Sequence, residues 1–123
     1  MKRIYIAGSL TPKGNRDDCQ NAAIEYLLNC RDMIAAGVSL MKKGWAPFCP
    51  AQDMLYFLYL RPGESIGESA IKDMSLAWLD ASDAILLLPG WKKSRGSIAE
   101  FDAALTLGKA IYESLAEVPD ETD

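Results

Sequence analysis

The period of the hydrophobic positions changes several times along the chain, and each change marks an element. KRIYIAG, residues 2–8, is β-branched and aromatic up to Gly8, which predicts a buried first strand closed by a turn. The loop GSLTPKGNRDD follows, with glycine and proline breakers among polar residues. From about Asp18 to Lys43 apolar residues recur at Ala23, Leu27, Cys30, Ile34, Val38 and Met41, the three-and-four spacing of an amphipathic helix, and Gly44 supplies its stop. WAPFCP, residues 45–50, predicts a short second strand, and Pro47 places it where one side lacks a full ladder. AQDMLYFLYLRPGES is apolar but too short to classify by period; it reads as a short helix or a lid, closed by Pro62 and Gly63.

Residues 64–81 fit a helix with Ile66, Ala70, Met74, Ala77 and Ala81 on one face, widened by Ile71 and Trp78. Leu76 and Leu79 fall on another side, an excess that a subunit contact accounts for. DAILLLP, residues 83–89, is a continuous apolar run, the mark of a central strand buried on both faces. Residues 97–108 predict a helix with Ile98, Phe101, Leu105 and Gly108 on one side, AIY at 110–112 is a last short strand, and the acidic EVPDETD is expected to fray. Strands alternating with helices predict an open α/β sheet with mostly parallel strands and helices on both faces. Ligands bind such sheets beyond the carboxyl ends of the strands, where the loops after Ala7 and Leu88 lie.

Composition narrows the reading. With 123 residues, half of them apolar, the chain suffices for one core, expected over residues 1–114, followed by an acidic, flexible tail at 115–123. A net charge of −4 gives no overall positive field toward nucleic acid or an anionic membrane. Cys19, Cys30 and Cys49 lack metal-type spacing and suit free thiols in a reducing, cytoplasmic compartment. No apolar run is long enough to span a bilayer, and the start lacks the core of a signal peptide. Histidine is absent, so acid-base chemistry falls to carboxylates, tyrosine, lysine or cysteine, and the pattern calls for no metal or cofactor.

Three stretches are candidates for chemistry. In GWKKSRGSIAEFDAALTLGK, residues 90–109, Gly90, Gly96, Lys92, Lys93 and Arg95 precede a helix N-terminus, a plausible anion site that is not a Walker loop. Ser97 and Glu100 in the same stretch also fit a capping box, in which both side chains serve only the backbone of the first turn. Asp73 lies near the edge of its helix's apolar face, open to a reading as a plain surface aspartate. YIAGS, residues 5–9, places a tyrosine in the first strand and a Gly-Ser turn at its end, which a buried strand and a tight turn explain nearly as well.

Together IYIAGSL, IKDMSLAWLDASDAILLL and SRGSIAEFDAALTLGKAIY resemble the nucleoside 2-deoxyribosyltransferase superfamily, which includes deoxynucleoside 5′-monophosphate N-glycosidases. The resemblance covers about half the chain. It implies a flavodoxin-like open sheet of four to five strands and an enzyme that cleaves or transfers the N-glycosidic bond of a nucleoside or nucleotide. Glu100 matches the family's nucleophile, Asp73 the carboxylate that assists the departing base, and Tyr5 an active-site tyrosine; Gly8 and Ser9 match the first substrate loop. Ser94 stands where transferases acting on free nucleosides carry an acid, and with Gly96 it matches the phosphate-facing loop of the monophosphate hydrolases. Arg95 and Ser97 join that substrate-binding loop, and Gln52 is a candidate reader of the base. The environment of Glu100 departs from the family pattern, with Ala99 before it and Phe101-Asp102 after it. The expectation is therefore an N-glycosidase acting on a (deoxy)nucleoside 5′-monophosphate. The alternatives are a base-exchanging transferase and a non-catalytic nucleotide-binding module. Homo-oligomers are usual in the family, and Leu76 and Leu79 are the candidate contacts.

Overall fold

A computed structural model of the chain describes residues 1–14, 16–19 and 21–122. Gln20, expected at the start of the first helix, and Asp123, expected in the tail, lie outside the described residues, as does Asn15. The strands β1 (Arg3–Ala7), β2 (Ala46–Phe48), β3 (Ala84–Leu87) and β4 (Ala110–Tyr112) form one sheet in the order β2-β1-β3-β4, with every pairing parallel. This is an open α/β sheet of the flavodoxin-like kind, as the alternation of strand and helix patterns predicts. β2 is an edge strand, which explains how it accommodates Pro47.

Successive residues of the two central strands face opposite layers. Ile4, Ile6, Ala84 and Leu86 pack with Cys30, Met33, Ala36 and Leu40 of helix α1 (Ala22–Lys42). Tyr5, Ala7, Ile85 and Leu87 pack with Leu79 of α3 (Glu68–Asp80) and Ala104 of α4 (Arg95–Thr106). Between β2 and α3 lie a single 3-10 turn (Pro50–Asp53) and the short helix α2 (Met54–Tyr59), so the segment left open as helix or lid is helical. Asn21 caps α1 by accepting from Ala23 N at 2.9 Å and Ile24 N at 3.3 Å. Gly44 ends that helix at φ 84°, where a side chain is unfavourable.

The helices are where predicted, but their faces are not. On α1 only Cys30 of the expected stripe is buried, while Leu27, Ile34, Val38 and Met41 are exposed. The helix turns its smaller residues inward: Ala36 and Gly37 are buried, and a Cβ on Gly37 would meet Ile6 Cδ1 at 3.7 Å, so the small residues let helix and sheet approach closely. On α3 the order is reversed. Leu79 is fully buried and Leu76 packs against the same cluster, whereas Ala70, Ala77 and Trp78 are exposed, so Leu76 and Leu79 are core residues and not a subunit contact. On α4, Ile98 and Leu105 are exposed and Ser97 and Ala104 are buried.

Residues 115–122 of the acidic tail pack back on the core. Val118 is 1% exposed and belongs to the α1-side core. Around it Trp45 Nε1 donates to Pro119 O at 2.8 Å, Lys43 Nζ to Val118 O at 2.8 Å and Glu121 N to Lys43 O at 2.7 Å. Leu115 packs against the same core. No helix of the described residues is long and apolar enough to cross a membrane.

Candidate active site

The site grows from the carboxyl ends of the strands. β1 ends at Ala7, and Gly8 lets its loop pass so close to the end of β3 that a Cβ there would lie 3.0 Å from Leu88 Cδ1. Beyond Gly8 the loop is tied to α1: the buried Glu25 accepts from Lys13 N at 3.3 Å and Gly14 N at 3.1 Å, and Asn29 Nδ2 donates to Leu10 O at 3.0 Å. After β3, Gly90 takes φ 85° and opens a single 3-10 turn, Trp91–Lys93, whose Trp91 packs on Phe101 of α4 at 4.9 Å between centroids. Ser94 then caps α4, its Oγ accepting from Ser97 N at 3.2 Å.

That cap decides the choice left open for Glu100. The cap is Ser94 and not Ser97, so Glu100 stands well inside the helix, beyond the position from which a capping-box glutamate reaches back to the cap. The carboxylate is available for other work. It lines a cavity of about 680 Å³ together with Tyr5 from β1, Gly8, Leu10, Thr11 and Lys13 from the loop after it, Pro50 and Asp53 after β2, and Lys93, Ser94, Arg95, Gly96 and Ser97 before and in α4. Helix α3 contributes Glu68, Ile71, Lys72, Ser75 and Leu76.

The cavity is polar in an unusual way. Among the described residues, the buried side-chain atoms without a well-formed hydrogen bond are the Tyr5 hydroxyl, Asp53 Oδ1 and Ser97 Oγ, all on residues that line it, although the Tyr5 hydroxyl lies near enough to Glu100 and Ser75 for a weak polar contact with each. Burial pushes the Glu100 carboxyl up to about 7; the Tyr5 hydroxyl draws it partly back and the charge of Asp53 pushes it further up. Burial also raises the Asp53 carboxyl. The Tyr5 phenol lies far above its ordinary range, first through burial and then through the negative charge of Glu100. Its ring is fixed by stacking on Phe48, 5.6 Å between centroids at 17°, and Phe48 in turn stacks on Trp78 at 5.0 Å. Lys13, Lys72, Lys93 and Arg95 bring positive charge from four separate segments, while Lys92 instead lies over the Trp91 ring at 5.7 Å.

The expected site residues divide accordingly. The structure brings Glu100, Tyr5, Gly8, Ser94, Arg95, Gly96 and Ser97 to one cavity. Ser9 and Gln52 are not among its lining residues, and Gln52 is exposed. Asp73 is exposed on α3 away from the lining, because the turn of the helix that faces Tyr5 carries Ser75 and Leu76. Asp53, Lys13 and Ser75 were missed. For Asp53 a signal was present: a carboxylate three residues after Pro50, at the carboxyl end of the second strand pattern, sits on the ligand edge of such a sheet.

No curated protein matches the sequence. Among solved structures the fold is similar to a "2-desoxiribosyltransferase from Leishmania mexicana", with a TM-score of 0.50 and 24% sequence identity. That match covers 90% of this chain and 62% of the other, so the chain spans less than two thirds of that protein's length. At this identity the likeness concerns the fold. The model of the family described as "Domain of unknown function (DUF4406)" matches residues 2–113. The chain belongs to the DUF4406 family.

Proposed function

We propose that the protein cleaves the N-glycosidic bond of a (deoxy)nucleoside 5′-monophosphate, with Glu100 as nucleophile. The observation that carries this reading is the gathering of a desolvated carboxylate, the Tyr5 hydroxyl beside it, and two unpartnered buried oxygens, Asp53 Oδ1 and Ser97 Oγ, in one cavity at the ligand edge of the sheet. Unpaired buried groups cost stability, and a polar ligand that satisfies them accounts for their presence. A sugar ring offers hydroxyls to Ser97 and Tyr5. Its anomeric carbon, electron-poor as the base departs, is attacked by a carboxylate that water does not shield.

The end of the cavity near α4 suits a phosphate. Lys93 and Arg95, the N-terminus of α4 at Ser94 and Gly96, and Lys13 from the opposite loop supply charge and backbone donors. A free nucleoside has no group for them. Base exchange on free nucleosides remains the second reading, because the structural neighbour is by title a desoxiribosyltransferase. The protein is read as a cytoplasmic homo-oligomer.

Incubation of the protein with the deoxynucleoside 5′-monophosphates should release free base, and Glu100→Ala should slow release by about 10³-fold or more, equivalent to about 4 kcal/mol of transition-state stabilisation. Release that requires an added acceptor base and ignores the phosphate would favour the transferase. Saturable binding with the nucleotide recovered intact would leave a binding module.

A further inference from the structure

We propose that Asp53 is the second carboxylate of this site and the proton donor to the departing base, so that acid and nucleophile are presented by the segments after β2 and β3 and not by helix α3. The inference rests on the proposed glycosidic cleavage. It starts from backbone placement. β2 runs beside β1 with Phe48 opposite Tyr5, and Pro50 then turns the chain into the 3-10 turn that ends on Asp53. That turn sets Asp53, 8% exposed, in the wall of the cavity that holds Glu100. Its Oδ1 has no partner. A carboxyl oxygen hidden from water and left without a protein partner is suited to a proton shared with a ligand atom. α3 cannot fill this role from Asp73, which is exposed off the cavity, and the residue it turns toward Tyr5 is Ser75, which has no acidic proton to give. Glu68 does line the cavity, but from the exposed first turn of α3.

The two carboxyl groups sense each other, since the charge of Asp53 raises Glu100, and burial raises Asp53 itself. A pair of this kind holds one proton between its members over the range where it works. The other charges around it are those of Lys13, Glu68, Lys72, Lys93 and Arg95, with the Tyr5 phenol, and on the far side Tyr26 and Cys49 feel the Asp53 charge. In the first step a Glu100 oxygen forms a bond to C1′ while the C1′–N bond breaks. Its electron pair leaves with the base nitrogen, which takes the proton of Asp53. In the second step water attacks C1′, its proton passes to the Asp53 carboxylate, and the electrons of the C1′–O bond return to Glu100. The sum is the addition of one water.

The test uses Asp53→Asn and two substrates, an ordinary purine deoxynucleoside 5′-monophosphate and its N7-methylated counterpart, whose base already carries positive charge and needs no proton to leave. Uncatalysed loss of the methylated base is subtracted. The expected result is a loss of roughly 10²–10⁴-fold on the ordinary nucleotide with the methylated one nearly spared, together with a lower titration midpoint for the Glu100 carboxyl followed by carbon NMR. Should Asp53→Asn fold poorly, Asp53→Ser with added formate replaces it, and formate should restore cleavage of the ordinary nucleotide. Equal losses on both substrates, no loss on either, or an unmoved Glu100 midpoint overturns the role of Asp53 while leaving the glycosidase reading intact. A parent protein that releases base from neither substrate overturns both.

Discussion

At Glu100 the burial that serves the proposed chemistry costs stability. The folded-state value of about 7 stands above the 4.5 of the free side chain, so the folded protein binds the extra proton between those values. Stability is therefore present in full below about pH 4.5, falls as pH rises toward 7 and is level beyond it. The whole change is about 2–3 kcal/mol, allowing for partial exposure of the side chain. Glu100→Gln carries no such penalty. It should melt above the parent at pH 8, by roughly 3–6 °C per kcal/mol, and show much less advantage at pH 5, as paired thermal unfolding curves would reveal. An equal advantage at both pH values would mean that the carboxylate is solvated. Glu100 was legible as a candidate from its place in a loop-helix stretch, whereas its release from capping was not. Ser94 and Ser97 are both competent caps, and the backbone extension at Ser94, φ −114° and ψ 119°, selects between them.

The elements show what a periodic pattern leaves open. The strands and helices were legible because β-branched runs and three-and-four spacings differ in period. The buried face of α1 was not, because Leu27, Ile34, Val38 and Met41 compete with Cys30, Met33 and Leu40, and the choice falls to Ala36 and Gly37, which permit the closest approach to the sheet. Tail docking was illegible for a different reason: it depends on Val118 and the half-buried Leu115 among mostly polar residues and on backbone carbonyls reached by Trp45 and Lys43. A Cβ on Gly44 would lie 2.8 Å from the Glu121 carbonyl carbon at φ 84°. Gly44→Ala should thus cost about 2–4 kcal/mol in the full chain, the sum of left-handed strain and the clash. In a chain ending at Ser114 the clash vanishes and only about 1–2 kcal/mol of backbone strain remains. Urea unfolding of the four proteins would show this coupling, and equal costs in both lengths would mean that the tail does not pack on Gly44.

On the scale of the whole molecule, the most exposed run of consecutive apolar residues lies on α2. Leu58 and Tyr59 are 77% and 75% exposed, with Leu55, Tyr56 and Phe57 beside them. A run of this kind in water favours association, so the oligomer expected from the family resemblance should use α2 where Leu76 and Leu79 cannot serve. Native mass measurement should find a dimer or larger species, and Leu58→Ser with Tyr59→Ser should shift it to monomer; a monomeric parent would remove the oligomer. The cavity belongs to the same scale, because Tyr5, Asp53, Ser97 and Glu100 come from three segments far apart in sequence and meet only through the parallel order of the sheet. In the proposed reaction Glu100 bonds to the sugar. Peptide mass mapping of protein quenched during turnover of a 2-fluorinated deoxynucleoside 5′-monophosphate, which slows release of the sugar, tests it most directly. A sugar phosphate is expected on the peptide that carries Glu100 and none in Glu100→Ala; base release with no adduct, or an adduct on another residue, would exclude Glu100 as the nucleophile.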